Sequence, residues 1–158
     1  MTIEHPLFSG TLEEFHFHNL KLLLKNHRLL QNISETRKKY ILKYLKKAIL
    51  NTDLARHKEL VHKFKEFLPG TKKGLLLSYV LHGAELSNQC LEFSVSKFWT
   101  EKLLRECCSG IKESELYEEE GSFDELVCLP FWKTFVDKFE ELVPCRDTLV
   151  KNINLIKS

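Results

Sequence analysis

The sequence predicts an all-α fold, a bundle of several helices, and two observations support this prediction. Apolar residues recur at spacings of three and four, the period of one helix face, and no stretch alternates apolar with polar residues as a strand does. Helix-start signals precede several of these runs. The composition, 43% apolar and 29% charged, is that of a globular protein, and we expect residues 1–158 to form a single domain.

Start and stop signals outline three helices in the first half of the chain. Thr11 and Glu14 form a T-x-x-E capping box at the start of the first helix. Ser34 is the expected N-cap of the second helix, in which apolar residues share one face. The third begins at Asp53 and ends at "PGTKKG", because proline cannot continue the helical hydrogen-bond ladder.

The second half of the chain shows the same periodicity. A fourth helix, mostly apolar, is expected over residues 75–84, and a fifth over residues 93–108. Ser122 and Glu125 form a second capping box, and apolar residues follow it at helical spacing. A short helix is expected after Cys145. These elements complete the predicted bundle.

Charge and cysteine usage narrow the classes of protein further. The net charge is only +2, and the basic run "RKKYILKYLKK" has the spacing of a solvated helix face, so we expect no nucleic-acid partner. Five cysteines without a CxxC pair indicate reduced thiols. The start of the chain lacks a basic leader and no segment is apolar enough to span a membrane, so we expect a cytoplasmic protein.

Several segments, taken in order, resemble a known family of enzymes. "NTDLARH" matches the pattern ATD-hydrophobic-(S/A)-(R/K)-H, and "GAELSN" matches (C/A)AD(I/L)SN. "LEEFH" is similar to LENHH, and "LVCLPFWKTFVDKF" is similar to a segment with an HPLW-like motif. These patterns belong to the C-terminal half of the catalytic domain of class I 3′,5′-cyclic-nucleotide phosphodiesterases. The resemblance implies a helical fold of that kind and covers nearly the whole chain.

The resemblance also implies a chemistry. Family members hydrolyse cAMP or cGMP with two divalent metal ions, Zn²⁺ and Mg²⁺, while a histidine protonates the leaving oxygen. The family takes that histidine and most metal ligands from an HNxxH and an HDxxHP motif, and neither occurs here. We therefore expect this chain not to retain the metal pair and to be inactive by itself.

Two acidic residues fall on metal-related positions of the family. Glu85 occupies the place of the metal-binding aspartate, and Glu13 that of a glutamate that orients metal-bound water. Each has a structural alternative. Glu85 could cap or pair near a turn, and Glu13 could be an acidic first-turn residue favoured by the helix dipole.

Five residues fall on nucleotide-binding positions. Asp53 matches a pocket-lining aspartate, Asn88 an asparagine near the base, and Phe123 and Leu103 the two jaws of the ring clamp. Glu120 stands where the family pairs the purine with glutamine, and a carboxylate only accepts hydrogen bonds. The alternatives are an N-cap for Asp53 and core packing for the two jaws.

Two hypotheses about function follow. The first is a partial, divergent phosphodiesterase-family chain, which by ancestry acts on a cyclic nucleotide in signalling. The second is a non-catalytic interaction or scaffold module, whose exposed apolar helix faces bind a protein partner or a second copy.

Overall fold

Helices make up most of the described chain, as the spacing of the apolar residues predicts. The computed structural model describes residues 2–5, 8–107 and 121–157. The α-helices are α1 (Leu12–Asn26), α2 (Glu35–Leu50), α3 (His57–Lys65), α4 (Lys73–Glu85), α5 (Phe93–Cys107), α6 (Leu129–Val136) and α7 (Val143–Ile156). Single 3-10 turns span Leu54–Arg56, Ser87–Cys90 and Glu140–Leu142. The all-α class is confirmed, and no helix within the described ranges has the length and apolarity to cross a membrane.

A short β-hairpin precedes the helices and was not predicted. Strand β1 (Thr2–His5) pairs antiparallel with β2 (Phe8–Thr11), so that Thr2 faces Thr11 and His5 faces Phe8. Strands of four residues are too short for an alternating pattern to stand out from the sequence. Strand β2 leads directly into α1.

The predicted capping box at the start of α1 is confirmed. The Thr11 hydroxyl accepts a hydrogen bond from the Glu14 backbone N–H at 3.2 Å, and the Thr11 N–H donates to the Glu14 carboxylate at 3.0 Å. Ser34 precedes α2 as predicted, but its side chain makes no capping hydrogen bond. Both boundaries therefore lie where the sequence places them, although only one uses the expected side-chain contacts.

The second predicted capping box is wrong. Residues 121–123 are already helical and continue into a π-helical turn, Asp124–Cys128, so Ser122 lies inside a helical segment instead of before one. The Glu125 carboxylate pairs with Lys157 on the following helix. Pro130 directly follows the π-helical turn, inside the continuous helical run of residues 121–136.

Backbone contacts divide the chain into two compact units. The first unit comprises residues 1–60 and 72–82 and the second comprises 61–71 and 83–158. In the first unit, Ala48 and Tyr79 are buried, and the Asn51 amide donates to the Ser78 hydroxyl at 3.0 Å. A Cβ on Gly74 would lie 2.6 Å from the Tyr44 ring, so a side chain there would require that ring to move. The single-domain assignment stays a prediction.

Aromatic rings form the core of the second unit. The Phe64 ring stacks on Phe67 with centroids 4.8 Å apart and meets Phe135 edge-on at 5.7 Å. Phe131 meets Phe135 edge-on at 5.8 Å. A Cβ on Gly83 would lie only 3.2 Å from ring carbons of Phe131 and Phe135. The rings therefore pack against bare backbone at the end of α4, in arrangements that aromatic quadrupoles favour.

A buried polar network holds the 3-10 turn Ser87–Cys90 in the second unit. The Gln89 amide nitrogen donates to the Thr100 hydroxyl at 3.1 Å, and the Ser96 hydroxyl donates to the Gln89 amide oxygen at 2.9 Å. From α7, the Asn152 amide donates to the backbone carbonyls of Gln89 at 3.0 Å and Leu91 at 2.9 Å. Because buried polar groups are costly without partners, this network specifies the conformation of the turn.

Three cysteines in the described part of the chain, Cys90, Cys128 and Cys145, are free thiols. Burial raises the pKa of Cys90 and Cys128 far above the usual range of a thiol, with further contributions from neighbouring thiols and from Asp124. These two thiols are therefore protonated at neutral pH, the form in which a thiol is a poor nucleophile.

Replacing Asn152 with alanine tests the polar network. We expect Asn152→Ala to lower the free energy of unfolding by about 2 kcal/mol, because two buried carbonyls lose their donor. Asn154→Ala is the matched control, since Asn154 lies on the same helix but is exposed, and we expect it to cost less than about 0.5 kcal/mol. Urea denaturation measures both. Equal losses would contradict a structural role for the network.

Candidate functional site

The segment "NTDLARH" forms a capped turn at the start of α3. The Asp53 carboxylate accepts a hydrogen bond from the Ala55 backbone N–H at 2.9 Å and so caps the 3-10 turn Leu54–Arg56. This turn runs directly into α3 at His57. The structural alternative for Asp53, an N-cap, is therefore observed. The Asp53 side chain is half-exposed, which is also compatible with a pocket-lining role.

A buried histidine pair joins this segment to α4. His57 Nδ1 and His82 Nε2 lie 2.9 Å apart, and the two rings are 6% and 0% exposed. One ring donates its N–H and the other accepts it, and the tautomers decide which. No local pattern in the sequence predicts this pair, because the two histidines are 25 residues apart and lie on different helices. The available signal was that one histidine stands in each of the two motif segments, "NTDLARH" and "HGAELSN".

Glu85 is the last residue of α4 and its side chain is exposed. A carboxylate at this end of a helix faces the negative end of the helix dipole, and it cannot donate to the unpaired carbonyls there. The Ser87 hydroxyl makes such a bond instead, donating to the Ala84 carbonyl at 2.7 Å. Capping by Glu85 is therefore not observed, whereas the other structural alternative, pairing near the turn, stays open because Glu85 does interact with a neighbour.

Two predicted nucleotide-side residues follow in the second unit. Asn88 lies half-buried in the 3-10 turn Ser87–Cys90, which the Gln89–Asn152 network fixes from within. Phe123 is half-buried and immediately precedes the π-helical turn. Partial exposure of both side chains is compatible with ligand contact, and for Phe123 with packing at the edge of the core.

The other three predicted residues are Glu13, Leu103 and Glu120, and the structure describes the side chain of Glu13 alone among them. Glu13 is the second residue of α1 and half-buried, in the first turn where the helix dipole favours an acidic residue. Leu103 falls in the last part of α5, and its side chain lies outside what the structure describes. Glu120 also lies outside the described residues.

The acidic residues do not by themselves make a metal centre. Glu13 and Asp53 belong to the first unit, and Glu85 belongs to the second, together with Asn88 and Phe123. Among the described residues, no group of three or more histidine, cysteine or acidic side chains is arranged to hold a metal ion. A divalent cation bound to protein ordinarily takes several oxygen or nitrogen ligands. The residues that the structure describes therefore do not by themselves supply the ligands of a binuclear metal site.

Comparison with known proteins identifies the family. The family model described as 3′5′-cyclic nucleotide phosphodiesterase matches residues 7–149. The chain belongs to this phosphodiesterase family. Its members characteristically use divalent metal ions.

Solved structures of the phosphodiesterase family share the fold. Two structures of the phosphodiesterase domain of the rhodopsin–phosphodiesterase fusion protein from the choanoflagellate Salpingoeca rosetta match with a TM-score of 0.81 and 24% identity, over 92% of this chain. LmjPDEB1, solved in complex with IBMX, matches with a TM-score of 0.76 and 19% identity over 92% of this chain. At these identities the likeness establishes the fold.

The chain spans about half the length of these phosphodiesterase structures, namely 55%, 53% and 52% of the three matched chains. No curated protein matches it. The predicted resemblance to a divergent part of the phosphodiesterase domain is therefore confirmed at the level of family and fold.

Substitutions of Asp53 test whether its side chain stabilises the fold as an N-cap. We expect Asp53→Ala to lower the free energy of unfolding by about 1 kcal/mol, because the Ala55 N–H loses its acceptor. Asp53→Asn keeps an acceptor oxygen and should cost only a few tenths of a kcal/mol. Thermal and urea denaturation compare the two. A loss in Asp53→Asn as large as in Asp53→Ala would show that the charge matters more than the cap.

Proposed function

We propose that this chain is a divergent, partial phosphodiesterase domain that acts in the cytoplasm, retains part of the nucleotide side of the family's site, and does not hydrolyse a cyclic nucleotide by itself. The observation that carries this proposal is how few of the family's metal-ligand positions the sequence matches. Glu85 is the sole matching metal-ligand position in the sequence, and the HNxxH and HDxxHP motifs do not occur in the 158 residues.

The chemistry explains why this matters. Two metal ions activate the attacking water and neutralise the phosphate, and each ion requires several ligands in fixed positions. Glutamate at residue 85 is longer than the family's aspartate by one methylene, which can move the carboxylate by about 1.5 Å, one C–C bond. Functional sites usually tolerate displacements of about 0.5 Å. One displaced carboxylate supplies neither the charge nor the geometry of that centre.

The nucleotide side is better supported by the geometry. Asn88 is held on a turn that buried hydrogen bonds fix, and Phe123 keeps part of its ring accessible. Such pre-organised, partly exposed groups are suited to ligand contact. Glu120 departs from the family's purine-pairing glutamine, so selective recognition of one purine is expected to be lost.

Assays of hydrolysis and of metal binding test the metal side separately. We expect no release of AMP or GMP from cAMP or cGMP with Mg²⁺, Mn²⁺ or Zn²⁺ present, and the same blank rate for Glu85→Ala. Calorimetry with Mn²⁺ should detect no site that Glu85→Ala removes. The Salpingoeca rosetta phosphodiesterase domain, assayed in parallel, serves as the positive control. Metal-dependent turnover that Glu85→Ala abolishes would refute the proposal.

A second candidate function, that of an interaction module, is favoured by the surface of α5. Phe98 and Trp99 are each 52% exposed on this helix, and their rings meet edge-on at 5.6 Å. Val95, on the same helix, and Leu91, just before it, are also exposed. Adjacent aromatic side chains left in water favour burial against another surface, and aromatic residues commonly anchor interfaces.

Sedimentation of the aromatic variants tests this second function. We expect the average mass of the chain to rise with concentration through the micromolar range, and Phe98→Glu to abolish the rise, because a charge in the buried centre of an interface opposes association. Leu126→Glu is the matched control, since Leu126 is 76% exposed and lies away from α5 in sequence. A monomer at all concentrations, or equal effects of both variants, would argue against self-association.

A further inference from the structure

A cavity of about 550 Å³ opens between α1 and α2, within the first unit. Three leucines line its interior: Leu24 from α1, Leu30 from the connecting turn and Leu42 from α2. Three exposed cations line it as well, Lys21, Lys25 and Arg28, together with the half-buried Lys38. The volume lies within the range of small-molecule sites, roughly 300–1,000 Å³. None of the predicted phosphodiesterase site residues contributes to this cavity.

Burial separates the apolar from the basic groups. Lys21 and Lys25 are one turn apart on α1, and Arg28 lies just past the end of the helix. The three leucines are half-buried, whereas the three cations are exposed. The cavity therefore has an apolar interior and a basic rim.

The positive charge of the rim is not cancelled nearby. Lys38, which also lines the cavity, is paired with Glu35 at 2.7 Å. For Lys25 and Arg28, no ion pair with a carboxylate occurs within the described ranges. Cations beside a low-dielectric wall attract an anion more strongly than cations in open water do.

The backbone at the end of α1 gives Arg28 a specific placement. The Arg28 N–H donates to the Lys25 carbonyl at 3.2 Å and the Leu29 N–H donates to the Leu24 carbonyl at 3.1 Å, the two bonds of a Schellman motif. Arg28 has a φ of 52°, the left-handed conformation that glycine usually supplies at this position. Arg28 therefore occupies a helix-end position at which glycine, which has no side chain, is the usual residue.

We propose that this cavity binds a free, single-chain anionic amphiphile, specifically a fatty acid. The hydrocarbon chain would lie against the leucines, and the carboxylate would meet the rim, where a guanidinium can bind both of its oxygens. The proposal goes beyond the proposed function and does not depend on it, because the cavity shares no residue with the phosphodiesterase positions.

Binding of matched twelve-carbon amphiphiles to the full chain tests the proposal. We expect laurate, titrated below its micelle concentration in a calorimeter, to bind with one-to-one stoichiometry. Decanoate should bind more weakly by about fourfold for each methylene removed. Dodecyl maltoside, which is neutral, and dodecyltrimethylammonium, which is cationic, should bind at least about tenfold more weakly than laurate.

The variant Arg28→Gly distinguishes binding from folding. It should weaken laurate binding about tenfold or more, through loss of a charged hydrogen-bonding group. Since glycine relieves the left-handed backbone, the same variant should unfold at an equal or higher urea concentration. Lys25→Gln should also weaken binding. Arg37→Ala, which removes an exposed guanidinium of α2 that does not line the cavity, should leave the affinity unchanged.

Several results would overturn the proposal. Equal affinity for laurate and dodecyl maltoside would show that the basic rim does not select an anion. Unchanged affinity in Arg28→Gly would place the ligand elsewhere. Displacement of laurate by a decaglutamate peptide of equal affinity would identify an acidic peptide surface instead. Dimers that Arg28→Gly dissociates, in the absence of laurate binding, would identify an interface between two copies.

Discussion

The hydrogen bond between the rings of His57 and His82 is the constraint on which the placement of the first motif segment depends. Both rings are buried, and a buried ring nitrogen without a partner is costly. The bond of 2.9 Å satisfies one nitrogen of each ring and joins two segments that are 25 residues apart in the sequence. It fixes the start of α3, and with it the turn that Asp53 caps, against α4.

A second buried network has the same role in the other unit. Asn152 reaches from α7 to the backbone carbonyls of Gln89 and Leu91, so the turn that carries Asn88 is held by side chains distant in sequence. In both units, the residues that match the family's nucleotide positions lie next to polar contacts that specify their backbone.

Local signals in the sequence predicted much of the fold, and contacts between distant residues account for most of what they missed. The Thr11–Glu14 box was predictable because both partners lie within one turn. The Ser122–Glu125 box has the same pattern and failed, because residues 121–123 are already helical and Glu125 pairs with Lys157. The hairpin was not predicted, because its strands are too short to show an alternation of apolar and polar residues.

In the candidate site too, the local motifs were predictable from the sequence, whereas the contact between distant residues was not. Motif matches located Asp53, Glu85 and Asn88 on turns or helix ends, where functional groups commonly lie. The histidine pair was missed because only the tertiary fold brings its two rings together. Whether Asp53 is a cap or a pocket residue was not decidable from its spacing, because both roles need an oxygen at the same position.

Close packing around Gly83 limits the residues that position 83 can accept. The family pattern has cysteine or alanine where this chain has Gly83, and Ala84 and Glu85 follow in the same motif. With Phe131 and Phe135 only 3.2 Å from a Cβ at residue 83, alanine there requires those rings to retreat by a few tenths of an ångström. The residue tolerated at position 83 therefore depends on whether the two rings can move, which couples the motif segment at the end of α4 to the aromatic residues of α6.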